Sequence, residues 1–139
     1  MLTKKIKLDI YNRDILFVCG TDVDCKQYLD KKFGEEFDTS VYGFCGTNGS
    51  VLIIYINLTE SFDLSAIIGT LSHEVFHAVL DLYDSIENNM NPDSKELVLH
   101  KNNTEPYAYL TGYIMEKAFN YIIQEMKGTK DGASITSKD

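Results

Sequence analysis

Two histidines and a glutamate in this chain stand at a spacing that can do chemistry: His73-Glu74-Val75-Phe76-His77, or H-E-x-x-H. On a helix, residues four apart lie one turn above another, with Cβ atoms about 5–6 Å apart. Two imidazoles so placed can converge on one ion at metal–nitrogen distances of about 2.0–2.1 Å. Glu74 follows the first histidine and can reach a water on that ion without binding the ion itself. Two ligands, an open position and an adjacent base are what a zinc hydrolase needs. The rival reading is structural: two half-buried helix histidines beside an exposed glutamate. The chain holds three histidines in all. From its residue frequencies an accidental H-E-x-x-H arises with a chance of roughly 0.4%, which favours the metal.

The motif needs a helix to present it. Leu64, Ile67, Ile68, Leu71, Val75, Val79, Leu82 and Ile86 recur at helical spacing. The helix runs from Leu64 to Ile86 or Asn88, capped by Asp63 or Ser61. Gly69 marks close helix–strand packing or simply costs about 1 kcal/mol. Two histidines also need a third protein ligand. The longer pattern H-E-x-x-H-x-x-G-x-x-H fails, because Leu80 and Tyr83 stand where Gly and His or Asp would be. Asp81 and Asp84 remain open as ligands but follow on the same helix, which curves them away from the ion. A carboxylate from a following helix is the other solution, and Glu105-Pro106-Tyr107-Ala108-Tyr109 supplies one. Thr104 is an N-cap and Pro106 is tolerated only in a first turn. Glu105 therefore opens a helix that runs to about Lys127, with Leu110, Tyr113, Ile114, Ala118, Tyr121, Ile122 and Met126 periodic. Ala108 and Gly112 form a small-residue strip where the motif helix can approach closely and bring Glu105 near the metal. The alternative for Glu105 is a first-turn glutamate favoured by the helix dipole.

The remaining elements frame these two helices. Ile6, Leu8 and Ile10 alternate with polar residues as a half-buried strand. Asn12-Arg13-Asp14 breaks it, and Ile15–Cys19 is an apolar run suited to a strand buried on both faces. Thr21 caps a helix to Phe33, with Val23, Tyr28, Leu29 and Phe33 on one side and Gly34 closing it. Asn48-Gly49 signals a hairpin over residues 39–58, with Thr47 opposite Ser50 and Phe44 opposite Ile53. An exposed edge of that hairpin beside the metal could take up a peptide as an added strand. The polar stretch from Asn88 to Thr104 reads as a loop. It ends near His100, an exposed loop histidine or a substitute ligand.

The chain of 139 residues carries 13 basic and 21 acidic side chains, a net charge of −8. That argues against nucleic acid as the main partner, which needs a basic stripe. No apolar run has membrane length and no signal-type segment follows the basic start, so a cytoplasmic setting is expected. Cys19, Cys25 and Cys45 are odd in number and match no zinc spacing. They read as reduced thiols, against a minor alternative of a nucleophilic Cys–His pair. Residues 1–127 form one domain, and 128–139 read as a disordered tail. The expected class is α+β: a small, mostly antiparallel sheet with an N-terminal helix, packed on the H-E-x-x-H helix and a C-terminal helix.

H-E-x-x-H followed by E-x-x-A on a later helix resembles the gluzincin class of zinc peptidases. The form H-E-V-F-H with E-P-Y-A-Y-L-T-G-Y is similar to small metallopeptidases encoded by bacteriophages and prophages, over roughly residues 50–125. The resemblance implies a zincin-like minimal domain and a peptide or protein substrate. His73, His77 and Glu105 would hold one Zn2+, and Glu74 would act as general base. Larger gluzincins carry an Asp four residues after the ligand Glu. Tyr109 stands there, which leaves open what orients the histidines. Tyr109 is also the first choice for a hydrogen bond to the developing oxyanion, ahead of Tyr107, Tyr113 and His100. For a phage-encoded chain the setting is host cytoplasm or virion. The alternatives are a catalytically silent zinc-bearing binding or virion module, and a regulatory peptidase with one protein substrate.

Overall fold

A computed structural model describes residues 1–8, 13–59, 63–89 and 105–136, with side chains described except at 85–89 and 129–136. Expectations that rest on Ile10, Asn12, Ser61, His100 and Thr104, or on the side chain of Ile86, lie outside the described residues. The elements are β1 (Leu2–Leu8), β2 (Arg13–Gly20), α1 (Asp22–Phe33), β3 (Gly43–Asn48), β4 (Val51–Asn57), α2 (Leu64–Asn89) and α3 (Glu105–Thr136). The four strands form one sheet in the order β1-β2-β4-β3. β1 with β2 and β3 with β4 are antiparallel, and β2 with β4 is parallel. The fold is α+β, as the residue patterns imply.

A parallel pair cannot be closed by a tight turn, so the chain must cross over between β2 and β4. Helix α1 makes part of that crossing and packs on one face of the sheet, while α2 and α3 cover the other. This explains why the two central strands are apolar on both sides. Ile15, Phe17, Leu52, Ile54 and Ile56 meet Leu71, Val75, Leu82, Ile114 and Ala118 of α2 and α3. Val18, Ile53 and Tyr55 point the other way, to Cys25 and Leu29 of α1. The Tyr55 hydroxyl, buried on that face, donates to the Thr39 carbonyl at 2.9 Å.

The caps form as expected. Thr21 Oγ1 accepts from the Asp24 amide at 3.3 Å, and Gly34 takes φ 69° as its amide closes on the Asp30 carbonyl. Asp63 caps α2 by accepting from the Ser65 amide at 3.1 Å. Several details differ. β2 begins at Arg13, pairing Arg13 with Leu8 and Asp14 with Lys7, so Arg13 and Asp14 lie within a strand and do not break it. Val23 is exposed, leaving Cys25 and Leu29 as the buried side of α1. In the hairpin Phe44 faces Tyr55, not Ile53. A two-residue offset keeps every side chain on its face. It also lets Phe44 join Phe37 and Tyr55, with ring centroids 5.9 and 5.1 Å away. α3 continues to Thr136, past the expected end at Lys127.

Candidate functional site

Helix α2 lies across the sheet with Ile67, Leu71, Val75, Ala78 and Leu82 turned inward. Its flank toward β3 is drawn close by Gly43. A Cβ there would stand 2.7 Å from the Tyr55 carbonyl oxygen and 2.9 Å from the Thr70 methyl. Beyond that contact the two elements diverge into a groove of about 450 Å3, lined by Gly43–Thr47 and Leu52 on the sheet side and by Glu74, His77 and Asp81 on α2.

Of the motif, Glu74 and His77 line this groove, and His73 stands one turn before His77, outside its lining. His73 and His77 are exposed, whereas Glu74 is buried at 7% exposure. The Nε2 atoms of His73 and His77 are 3.1 Å apart, and the ring centroids 4.7 Å, edge to face. Two nitrogens 3.1 Å apart, each about 2.05 Å from one ion, subtend about 98° there, within the reach of a four-coordinate zinc. The pair thus fits a metal through matching atoms, with Glu74 alongside. The same distance also fits one imidazole donating to the other.

The third ligand is a different matter. Glu105 is exposed at the first residue of α3. Among the described residues no group of three or more His, Cys, Asp or Glu is arranged to hold an ion. The structure therefore joins His73, His77 and Glu74 but does not bring Glu105 to them. The reason lies in how α3 docks. Tyr107 stacks on Tyr83 with centroids 4.0 Å apart. That places the start of α3 beside the far end of α2, on the flank opposite β3. Ala108 and Gly112 do not form a close helix seam. Both are exposed, and a Cβ on Gly112 would meet nothing within 4 Å. The same holds for Gly69, so it marks no close packing. Tyr109 is 77% exposed and Tyr113 42%. Neither they nor Tyr107 line the groove.

Two residues disfavoured on sequence grounds lie in the groove. Asp81 does so because positions 74, 77 and 81 fall at i, i+3 and i+7, one stripe of a helix. That signal was present in the spacing. Cys45 does so because β3 returns beside α2, which no local pattern announces. Burial first, then the charges of Glu74 and Asp81, push the Cys45 thiol up to about 12. Burial likewise lifts Cys19 and Cys25 to about 12. All three are free thiols, and none is poised as a thiolate nucleophile.

A second hollow of about 520 Å3 lies by α1 and residues 36–40. Two of its polar side chains tie the loop: Lys26 Nζ donates to the Phe37 carbonyl at 3.0 Å and Thr39 Oγ1 to the Asp22 carbonyl at 2.8 Å. Among the described residues no helix is long and apolar enough to cross a membrane. No family model, curated protein or solved structure matches the chain.

Proposed function

We infer that the chain is a zinc-dependent peptide hydrolase. One observation carries this: paired Nε2 atoms at 3.1 Å, with His77 and the buried Glu74 between the two histidines lining one groove. His73 and His77 would hold the ion. A bound Zn2+ supplies a Lewis acid and lowers the pKa of water toward ~7. Glu74 takes a proton from the attacking water at a carboxylate oxygen and returns it to the departing amine nitrogen. The peptide carbonyl carbon gains the water oxygen and loses its C–N bond.

The groove suits an extended peptide. β3 is an edge strand, so its outer backbone groups can pair with a substrate strand. It carries no Lys, Arg or Pro, whereas the other edge strand, β1, carries Lys4, Lys5 and Lys7. Charged edges repel added strands, and β3 lacks that guard. The resemblance implies Glu105 as the third protein ligand, but Glu105 does not stand at the pair, so its part is decided by the metal-content test below.

One observation favours a second reading, a metal-bearing module without turnover: the histidine pair is exposed and has no third protein ligand among the described residues. The experiment is metal content and peptide cleavage for the wild-type chain, His77→Ala, Glu105→Ala and Glu74→Gln. Hydrolysis requires about one zinc per chain, lost in His77→Ala, and cleavage that disappears in Glu74→Gln while zinc stays. Zinc with no cleavage across a broad peptide library selects the silent module. Zinc retained in Glu105→Ala moves the third ligand elsewhere.

A further inference from the structure

Asp81 lines the groove one turn beyond His77, and its carboxylate is held. Arg13 Nη1 donates to Asp81 Oδ2 at 2.9 Å. Arg13 is the first residue of β2 and its side chain is 14% exposed, against 40% for Asp81. A charge-assisted hydrogen bond from a strand thus fixes the carboxylate next to a site carried by a helix.

An imidazole that binds an ion through Nε2 has its Nδ1–H taken by an acceptor, which sets both tautomer and ring plane. In His77, Nε2 is the atom that faces His73, so Nδ1 is the atom to be oriented. Asp81 is four residues on, with its Cβ about 5–6 Å from that of His77. Arg13 engages Oδ2, so the bond to Nδ1 is assigned to the other carboxylate oxygen, Oδ1. Glu74 shares the groove but has the proton to carry, and Tyr109 is outside it.

We propose that Asp81, anchored by Arg13, is the positioning residue for His77: its carboxylate accepts the Nδ1–H and leaves the Nε2 lone pair to the ion. This rests on the metal reading above. The competing account is a plain strand-to-helix tie, which would affect stability alone.

The test uses the full chain with Asp81→Ala, Arg13→Met, the double variant and Asp81→Glu. Three quantities are read: Zn2+ affinity by competition with a chromophoric chelator, the 15N shifts of the His77 ring without metal, and thermal unfolding. The wild-type ring should be in the Nδ1–H form, and Asp81→Ala should shift it toward Nε2–H. Zinc affinity should fall about 10–100-fold in Asp81→Ala, with the stoichiometry kept. Asp81→Glu should recover part of that loss. The double variant removes the charge left behind on Arg13, so it should regain stability without regaining affinity. Unchanged affinity and tautomer in folded Asp81→Ala would leave the tie as the whole role. Stoichiometric loss of zinc, with an altered Co2+ spectrum in Asp81→Glu, would make Asp81 a ligand and overturn the positioning role. A wild-type chain that binds no zinc would remove the hydrolase reading and this role together. If Asp81→Ala does not fold, the wild-type tautomer and the affinity of Arg13→Met decide.

Discussion

Gly43→Ala tests whether the groove depends on the close approach of β3 to α2. The added methyl would stand 2.7 Å from the Tyr55 carbonyl oxygen and 2.9 Å from the Thr70 methyl. Ordinary contact begins about 0.5–0.8 Å farther out, so backbone or helix must yield. The carbonyl belongs to the β4 backbone, which the sheet holds on both sides, and cannot swing aside. Overpacking of this kind costs about 1–3 kcal/mol. Gly46→Ala is the matched control, three residues along the same strand, where the methyl meets only Phe44 Cδ2 at 4.0 Å. Both variants gain the same unfolded-state rigidity and strand preference, so their difference isolates the contact. Urea unfolding followed by circular dichroism should place Gly43→Ala about 1–3 kcal/mol below Gly46→Ala. Peptide cleavage should also fall in Gly43→Ala, because β3 moves from the wall beside Glu74. Equal stability of the two variants would refute the reasoning, since it would mean that β3 and α2 do not meet at this distance.

Gly69→Ala and Gly112→Ala should each stabilise the chain by about 0.5–1 kcal/mol, because both helix positions have room for a methyl; melting temperatures check this. Cys19 and Cys25 titrate near 9 when unfolded and at about 12 when buried. The folded state therefore keeps protons that the unfolded chain releases, so stability is full below pH 9 and declines between pH 9 and 12. At pH 10 the loss should be on the order of 1 kcal/mol per cysteine, read from denaturant midpoints at pH 8, 9 and 10, and smaller in Cys19→Ala/Cys25→Ala. Zinc at 100 times its dissociation constant should stabilise the wild-type chain by about 2.7 kcal/mol and His77→Ala by none; differential scanning calorimetry with and without zinc separates the two.

Features that depend on a few neighbouring residues were legible in the chain itself. Thr21, Gly34 and Asp63 end or begin helices through bonds within four residues, and the hairpin follows from turn residues between apolar arms. The approach of His73 to His77 is of the same kind, because helical rise and rotation alone bring positions four apart together. The burial of Glu74 and the placing of Asp81 required one more fact, namely which flank of α2 meets β3. That is set by the parallel pairing of β2 with β4, which leaves β3 at the edge. Parallel pairing is chosen by burying both faces of two apolar strands, and no local dihedral preference encodes it. Cys45 in the groove and Glu105 away from the histidines are likewise tertiary outcomes. The first depends on where β3 returns, and the second on Tyr107 finding Tyr83. Chemistry carried within one helix turn was therefore written in the sequence, while its surroundings waited for packing between elements distant along the chain.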